Sequence, residues 1–156
     1  MPRLEDLPDL TRQGMLNFPA FDHDDAPCVR MTKPLNEAKI ALVTTAGLHL
    51  RDDVPFSGGD QTYRVIPSSS PASGIIQSHM SIGFDRTGIM RDVNVTFPID
   101  RLREMAERGE VGSLTENFYS FMGAQRSPRR IEEETGPEVG RLLLEEGADA
   151  AFLTPT

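Results

Sequence analysis

The segment "SHMSIGFDRTGIMRDVNV" is the richest polar stretch of the chain, and its side chains suit acid–base chemistry on an anionic substrate. Arg86 supplies a guanidinium that pairs with carboxylates, and Asp85 is placed to orient a base. His79 adds an imidazole, the group that most often exchanges protons near neutral pH. The same residues also fit a salt-bridged surface loop in which Arg86 and Asp85 pair with each other. From the residues alone, both interpretations stay open.

A second candidate follows the apolar run "KIALV", where His49 and Arg51 come after Gly47 in the stretch "TTAGLHLR". An imidazole beside a fixed cation is a group able to transfer protons. A loop histidine without a chemical task accounts for the same pattern. From the residues alone, that simpler interpretation is slightly favoured.

Composition excludes several classes of function. The chain has 156 residues and a formal net charge of -8, so it lacks the basic balance that a nucleic-acid-binding face needs. No apolar run reaches the ~18 residues of a membrane span, and the first residues do not read as a secretory signal. We therefore predict a cytoplasmic protein with neither a nucleic-acid nor a membrane partner.

Neither a disulfide nor a metal centre is predicted. The one cysteine of the sequence, Cys28, has no partner thiol and is interpreted as inert. His23 stands among three aspartates in residues 22–25, but four contiguous side chains cannot all converge on one ion. We therefore expect no metal ion at the site.

The pattern of elements predicts a single α/β domain of three layers, with a mostly parallel sheet flanked by helices. Ile40–Val43 is a continuous apolar run, typical of a strand buried on both faces, and Ala150–Leu153 is interpreted in the same way. These strands are expected side by side or one strand apart, with their carboxyl ends together. Residues 39–156 form this domain in the prediction, and residues 1–38 form an extended N-terminal arm.

Further segments are assigned from periodicity and turn residues. "TYRVIPS" and "IIQSHMSIGF" are interpreted as strands, and "NFYSFMG" as aromatic packing at a strand end. A helix with one apolar stripe is predicted to begin at Pro98 and to stop at Gly109. A second helical stretch covers residues 127–147, with a capping box formed by Thr135 and Glu138.

The two buried strands should end on one edge of the sheet, which is where ligands bind in open α/β sheets. The residues that this edge gathers are Thr44, Thr45, Gly47 and His49 from the first loop and Thr154, Pro155 and Thr156 from the last. Small hydroxyl side chains and a flexible backbone suit a pocket for a small molecule. The sequence therefore predicts the functional site at this edge.

Five blocks between residues 38 and 156 resemble one protein family. The blocks are "KIALVTTAGLHLRDDVPF", "GDQTYRVIPS", "SHMSIGFDRTGIMRDVNVTFPIDRLREMAERGEVGSL", "NFYSFMGAQ" and "GPEVGRLLLEEGADAAFLTPT". Together they resemble the selenoprotein B subunits of the glycine, sarcosine, betaine and D-proline reductases. The run "SHMSIGFDRTG" is most similar to the D-proline reductase branch.

The resemblance implies a subunit of a selenium-dependent amino-acid reductase that reductively cleaves a C–N bond at the α-carbon. It implies no cofactor in this chain itself. A partner subunit carries a pyruvoyl group that captures the substrate amine, and a selenocysteine attacks the α-carbon. A thioredoxin-like or dithiol reductant regenerates the selenol.

In the family, the selenocysteine directly follows a strand end that resembles Leu153–Thr156, usually with a cysteine close behind. The expectation is a chain truncated at an in-frame UGA codon, so that the 156 residues alone lack the nucleophile. Cys28 lies in the wrong segment to replace it. The alternative is a selenium-free, non-catalytic subunit that binds a small molecule, or regulates, at the same edge.

The resemblance also assigns substrate contacts. Arg51 or Arg86 is expected to bind the substrate carboxylate and to stabilise the selenolate, because a guanidinium pairs well with an anion. Thr154 and Thr156 complete the predicted substrate-binding set, because the redox centre is expected directly beyond them.

Proton transfer is assigned to the histidines. His79 or His49 is expected to deliver a proton to the departing amine, and Asp85 to orient one of these rings. For this to work, both histidines and Arg86 should lie within roughly 10–12 Å of Thr156, a span that a substrate and one or two waters bridge.

Overall fold

The computed structural model describes three ranges of the chain, residues 3–20, 28–81 and 85–156. Within these ranges, no helix is long and apolar enough to cross a membrane. The acidic cluster around His23 lies outside the described residues.

The chain divides into two compact units, residues 1–30 and residues 31–156. In the first unit, a turn of 3-10 helix at Leu4–Asp6 precedes helix α1 at Asp9–Leu16. Pro8 stands directly before α1. Proline has no backbone N–H, but a residue at this position donates no hydrogen bond within the helix, so none is lost.

Strands and helices of the second unit make an α/β domain. Its strands are β1 (Lys39–Thr44), β2 (Leu48–Leu50), β3 (Tyr63–Pro67), β4 (Ile75–Gln77), β5 (Ser113–Leu114), β6 (Asn117–Phe121) and β7 (Ala150–Thr154). Its helices are α2 (Thr87–Arg91), α3 (Ile99–Glu107) and α4 (Gly136–Glu145). Short 3-10 turns lie at Leu35–Glu37, Ala72–Gly74 and Val93–Val95.

Strand β1 is the centre of a five-stranded sheet. β7 pairs with it in parallel, from Ile40 opposite Ala150 to Thr44 opposite Thr154. β5 and β6 pair in parallel with the start and the end of β1, and β3 is antiparallel to β6. Because a strand has two edges, β5 and β6 share one edge of β1 and β7 occupies the other. The predicted parallel neighbours and the mostly parallel sheet are confirmed. The predicted burial of the last strand on both faces is wrong, because β7 pairs only with β1 among the described strands and its residues Ala151, Phe152 and Leu153 are exposed.

Helices cover both faces of the sheet. Consecutive strand residues point to opposite faces, so Ala41 and Leu42 enter different cores. Leu42 packs in one core with Leu102 of α3, and Ala41 packs in the other with Tyr119 and Val139, the latter from α4. Leu42 is fully buried, and burying such a side chain contributes about 1.5–3 kcal/mol. The predicted three-layer domain is therefore present.

Strands β2 and β4 form a separate antiparallel ribbon directly after the carboxyl end of β1. The strand predicted over "IIQSHMSIGF" is shorter than expected, because β4 ends at Gln77. Ser78 N–H donates instead to the carbonyl oxygen of Gly47 at 2.9 Å, which turns the chain back toward the sheet. Residues 82–84 of that prediction lie outside the described residues.

The predicted capping box is wrong. Thr135 has helical backbone angles (φ -75°, ψ -30°), and its side chain caps no helix N–H. Its hydroxyl donates to the carbonyl oxygen of Gln61 at 2.8 Å, and a π-helical turn at Ile131–Thr135 runs into α4 without a break. A long-range hydrogen bond thus replaces the local cap. At the other end, the predicted left-handed cap is confirmed, since Gly147 has a φ of +75°.

Asp149 ties the start of β1 to the segment before β7. Its carboxylate accepts hydrogen bonds from Lys33 Nζ and from Lys39 N–H, both at 2.9 Å. Both hydrogen bonds hold the pKa of Asp149 below its usual value of 3.8, and the bond from Lys33 has the larger effect. The resulting stabilisation is present above the usual pKa and is lost as the pH falls through the lowered one.

We therefore expect Asp149→Asn to lower the urea midpoint at pH 7, and its deficit to vanish as the pH falls through the lowered pKa of Asp149. The matched control is Asp52→Asn, which removes an exposed loop carboxylate. Equal midpoints for the two variants at pH 7 would contradict the assignment.

Candidate functional site

Threonines tie together the carboxyl ends of β1 and β7. The Thr44 hydroxyl and the Thr45 N–H both donate to the carbonyl oxygen of Thr154, at 3.0 and 3.2 Å. Thr156 N–H donates to the Thr45 hydroxyl oxygen at 3.0 Å. The hydroxyl oxygens of Thr154 and Thr156 are buried without a hydrogen-bond partner among the described residues. The predicted edge therefore contains two buried hydroxyl groups whose hydrogen bonds the described residues leave unmade.

Gly123 is the point at which three chain segments meet on this edge. A Cβ placed on it would lie 2.9 Å from each of three atoms, His79 Nε2, the Thr45 carbonyl oxygen and the Thr156 carbonyl oxygen. Because both atoms lie 2.9 Å from the same point, the distance between His79 Nε2 and the Thr156 carbonyl oxygen is at most twice 2.9 Å. The N–H of Gly123 also donates to the Thr45 oxygen at 2.8 Å. Only a residue without a side chain leaves room for this convergence.

His79 reaches the edge as a neutral ring with a defined tautomer. Ser81 N–H donates to His79 Nδ1 at 3.0 Å. A backbone amide is always a donor, so Nδ1 carries the lone pair and the proton of the neutral ring is on Nε2. The pKa of His79 lies below its usual value, mainly because the ring is buried and secondly because the positive charge of Arg86 is close. At neutral pH, the ring therefore presents an N–H donor beside Gly123.

Gly47 clamps the turn that carries His79. Its N–H donates to the carbonyl oxygen of Phe121, and its own carbonyl oxygen accepts the N–H of Ser78, both at 2.9 Å. The residue has a φ of +63°, and a Cβ on it would lie 3.0 Å from His79 Cα. Glycine is required here for both reasons.

A cleft of about 320 Å³ lies between the β2–β4 ribbon and α2. Its polar lining includes Arg51, Arg86 and Gln77, and its apolar lining includes Leu48 and Val93. Arg86 also donates from Nη2 to the Ser81 carbonyl oxygen, next to the turn of His79. The cleft thus adjoins the carboxyl edge and brings both predicted arginines together.

For two predicted residues, His49 and Asp85, the described hydrogen bonds are local and do not join them to this arrangement. His49 Nδ1 donates to the carbonyl oxygen of Leu50 at 2.7 Å, and alternation along β2 points its ring away from the face that carries Leu48. Asp85 is exposed and accepts the N–H of Thr87 at 2.8 Å. Hydrogen bonds from Thr87 lower the pKa of Asp85. No described contact joins Asp85 to a histidine or to Arg86.

Gln77 and Gly123 were not singled out from the sequence. Gln77 is one polar residue in an apolar strand, and Gly123 ends the "NFYSFMG" segment, where aromatic packing was predicted. That packing is present, since Tyr119 and Phe121 each contact the ring of Tyr63. A glycine two residues after a buried strand was the available signal for a close approach. Across the described residues, no three potential metal ligands cluster.

Comparison with known proteins identifies the family. A family model described as glycine/sarcosine/betaine reductase selenoprotein B matches residues 11–156. This chain belongs to that family. Comparison with solved structures gave no significant match.

Curated relatives of this selenoprotein B family member are named as reductase subunits. The D-proline reductase subunit gamma of Acetoanaerobium sticklandii is 40% identical over 125 residues, which is 80% of this chain and 51% of the relative. The sarcosine reductase complex component B subunit beta of Peptoclostridium acidaminophilum is 28% identical, over 89% of this chain and 32% of the relative. The glycine reductase complex component B subunit gamma of Carboxydothermus hydrogenoformans is 29% identical, over 90% of this chain and 33% of the relative.

The chain thus spans about half the length of the D-proline reductase relative and about a third of the other two. All three relatives are subunits of larger reductase assemblies by name.

Proposed function

We propose that this protein is a subunit of a selenium-dependent reductase that cleaves the C–N bond at the α-carbon of an amino acid, with D-proline as its substrate. Family membership and the 40% identity to the D-proline reductase subunit support the reaction class. The observation that carries the proposal is the convergence of His79 Nε2 with the Thr45 and Thr156 carbonyl oxygens around Gly123.

The proposed reaction balances as a two-electron reduction. The C–N bond at the α-carbon breaks, a C–H bond forms in its place, and the nitrogen takes up a proton to leave as an amine. A dithiol supplies the two electrons and two protons and ends as a disulfide. In the family, a pyruvoyl group on a partner subunit captures the amine, and a selenocysteine supplies a nucleophile that is ionised at neutral pH.

The residues at the edge fit a group that carries negative charge. His79 offers the Nε2 proton, and the hydroxyl groups of Thr154 and Thr156 are buried without described partners. Arg86 adds a positive charge close enough to lower the pKa of His79. Hydrogen-bond donors and a nearby cation stabilise a selenolate or thiolate, as they stabilise other anions.

The role of His79 in this proposal differs from the one expected from the sequence. Proton delivery to the amine requires a ring that is protonated near neutral pH, whereas burial and Arg86 favour the neutral form. The bond from Ser81 N–H occupies the lone pair of Nδ1. In this proposal His79 therefore holds an anion by donating from Nε2, and the described hydrogen bond of Asp85 is with Thr87.

The direct test is to express the gene in a host that inserts selenocysteine at UGA, together with the pyruvoyl-bearing subunit. We expect dithiol-dependent loss of D-proline, with slower loss of glycine, sarcosine and betaine. The 156-residue chain alone, assayed in the same way, should be inactive. Dithiol-dependent activity from that chain alone, or none from the selenium-containing assembly, would contradict the proposal.

Reading the codons after position 156 separates this proposal from its alternative. An in-frame UGA followed by coding sequence with a nearby cysteine codon supports the reductase. A UAA or UAG codon at that place supports a non-catalytic binding or regulatory subunit instead.

A further inference from the structure

We propose that Arg64, the second residue of β3, is a positioning residue for the convergence of His79 and Thr156 around Gly123. It acts through the loop of residues 54–62, which is bonded both to the turn that carries His79 and to the segment that carries Gly123. The described hydrogen bonds of Arg64 itself reach neither place. The geometric assignment stands without the reaction, and its effect on turnover rests on the proposed function.

Arg64 fixes the loop from its centre. Its Nε donates to the carbonyl oxygen of Val54 at 2.7 Å, its Nη1 to the Thr62 hydroxyl oxygen at 2.8 Å, and its Nη2 to the Asp60 carboxylate at 3.1 Å. The guanidinium carbon lies 4.2 Å from the centroid of the Phe56 ring, where a cation is attracted to the ring face. Because guanidinium donors lie in one rigid plane, a single side chain sets the relative positions of four loop residues.

The first connection runs from the loop to the turn of His79 through Ser78. Phe56, which is buried, donates its N–H to the Ser78 hydroxyl oxygen at 2.8 Å. Ser78 N–H donates in turn to the carbonyl oxygen of Gly47 at 2.9 Å, so Ser78 joins the loop to the carboxyl end of β1. Since Ser78 directly precedes His79, a displacement of the Phe56 peptide is passed to the His79 ring.

The second connection runs from the loop to the segment of Gly123 through Gln125. Its Nε2 donates to the carbonyl oxygens of Asp60 at 2.8 Å and Met122 at 3.0 Å, and the reversed amide would set an oxygen against both. Ala124 has a φ of +54°, which a residue other than glycine rarely adopts. Such a backbone persists only where its surroundings hold it. Gln125 supplies this restraint directly beside Gly123.

The two connections meet at the convergence, where the available space is smallest. Both start from loop residues that the Arg64 guanidinium contacts, namely Phe56 and Asp60. The side chains of Arg64 and Asp60 are only 14% and 15% exposed, so solvent screens this ion pair little. Loss of the guanidinium therefore loosens the turn of His79 and the segment of Gly123 together.

The test is NMR of the ¹⁵N-labelled 156-residue chain carrying Arg64→Gln. We expect shifts of the Gly123 amide and of the His79 ring nitrogens, and a His79 pKa that moves from its lowered value toward the usual 6.5 as water reaches the ring. Arg64→Lys should give most of the same changes, because an ammonium group keeps the charge but cannot reproduce the planar set of donors.

The matched control is Arg103→Gln. Arg103 also donates to two backbone carbonyl oxygens and a carboxylate, those of Ser68, Ser70 and Asp100, and none of its described bonds reaches residues 54–62. It should lower the urea midpoint without moving the signals of His79 or Gly123. Unchanged signals in Arg64→Gln, or equal changes in Arg103→Gln, would overturn the assignment.

Single-connection variants keep the test decisive if Arg64→Gln does not fold. Ser78→Ala breaks only the first connection and should move mainly the His79 ring, whereas Gln125→Met breaks only the second and should move mainly Gly123. The same pattern of shifts from both variants would contradict two separate connections. In the selenium-containing assembly, Arg64→Gln should lower turnover roughly ten- to a hundred-fold, the effect of a small misplacement. Shifted signals with unchanged turnover would reject the role of His79 in the proposed function and leave the positioning assignment.

Discussion

Gly123→Ala is expected to damage both the stability of the domain and the reductase activity that we propose for the selenium-containing assembly. The added Cβ would lie 2.9 Å from His79 Nε2 and from the carbonyl oxygens of Thr45 and Thr156. Two of these atoms belong to the backbone and cannot move aside as a flexible side chain does. Overpacking of this kind costs about 1–3 kcal/mol in free energy of unfolding. Urea denaturation measures this cost.

Activity should fall further than stability alone explains, because relief of the contact displaces the His79 ring or the Thr156 segment. The matched control is Gly140→Ala in α4, where a Cβ meets nothing within 4 Å. That substitution should be neutral or stabilising by up to ~1 kcal/mol, because alanine favours a helix over glycine. If Gly123→Ala is as stable and as active as Gly140→Ala, the three segments do not converge as described.

His79→Ala is expected to reduce reductase turnover by about 10²–10³-fold, the usual effect of removing one donor from an anion-binding site. His79→Asn keeps an N–H donor on a shorter side chain and should recover part of the loss. His49→Asn is the contrast, because that ring lies on the other side of the ribbon and donates to the Leu50 carbonyl oxygen. Equal losses for the His49 and His79 variants would reject the distinction between them.

The protonation state of His79 is measurable without activity. Because burial and Arg86 lower its pKa, the unfolded chain takes up a proton at a higher pH than the folded one. Native stability should therefore fall as the pH drops from the usual value of 6.5 through the lowered pKa, and His79→Asn should remove that part of the pH dependence. Nitrogen NMR should find Nε2 protonated and Nδ1 unprotonated at pH 7. A ring protonated at pH 6.5 or above would contradict the donor role.

The local pattern of apolar and turn residues was sufficient to predict those elements whose structure is decided by burial alone. Ile40–Val43 is apolar on both faces, so it had to be an internal strand, and the helix before Gly147 needed a left-handed residue to stop. The parallel neighbours β1 and β7, the helix α3 and the two faces of the sheet followed from the same periodicities. The family was also recognisable, since its blocks are spread over most of the chain.

The site depended on contacts that periodicity does not encode. The predicted threonines do lie together at the carboxyl ends of β1 and β7, yet Gly123, the residue on which this edge converges, is brought to Thr45 by the fold from a distant segment. Thr135 had the local pattern of a cap, but Gln61, 74 residues away, takes its hydroxyl. Residue types alone also left the protonation state of His79 open.

The sequence by itself thus determined the parallel strands β1 and β7, the helix α3 and the end of α4 at Gly147, and it predicted a site at the carboxyl edge of the sheet. Tertiary structure decided which of them meet. Ser81 N–H sets the tautomer of His79, and the turn through Gly47 carries that ring to Gly123 while His49 stays on the other face of the ribbon. The physical reason is that burial is a property of each segment, whereas a hydrogen bond needs two groups within about 3 Å, a distance that only the packed chain sets.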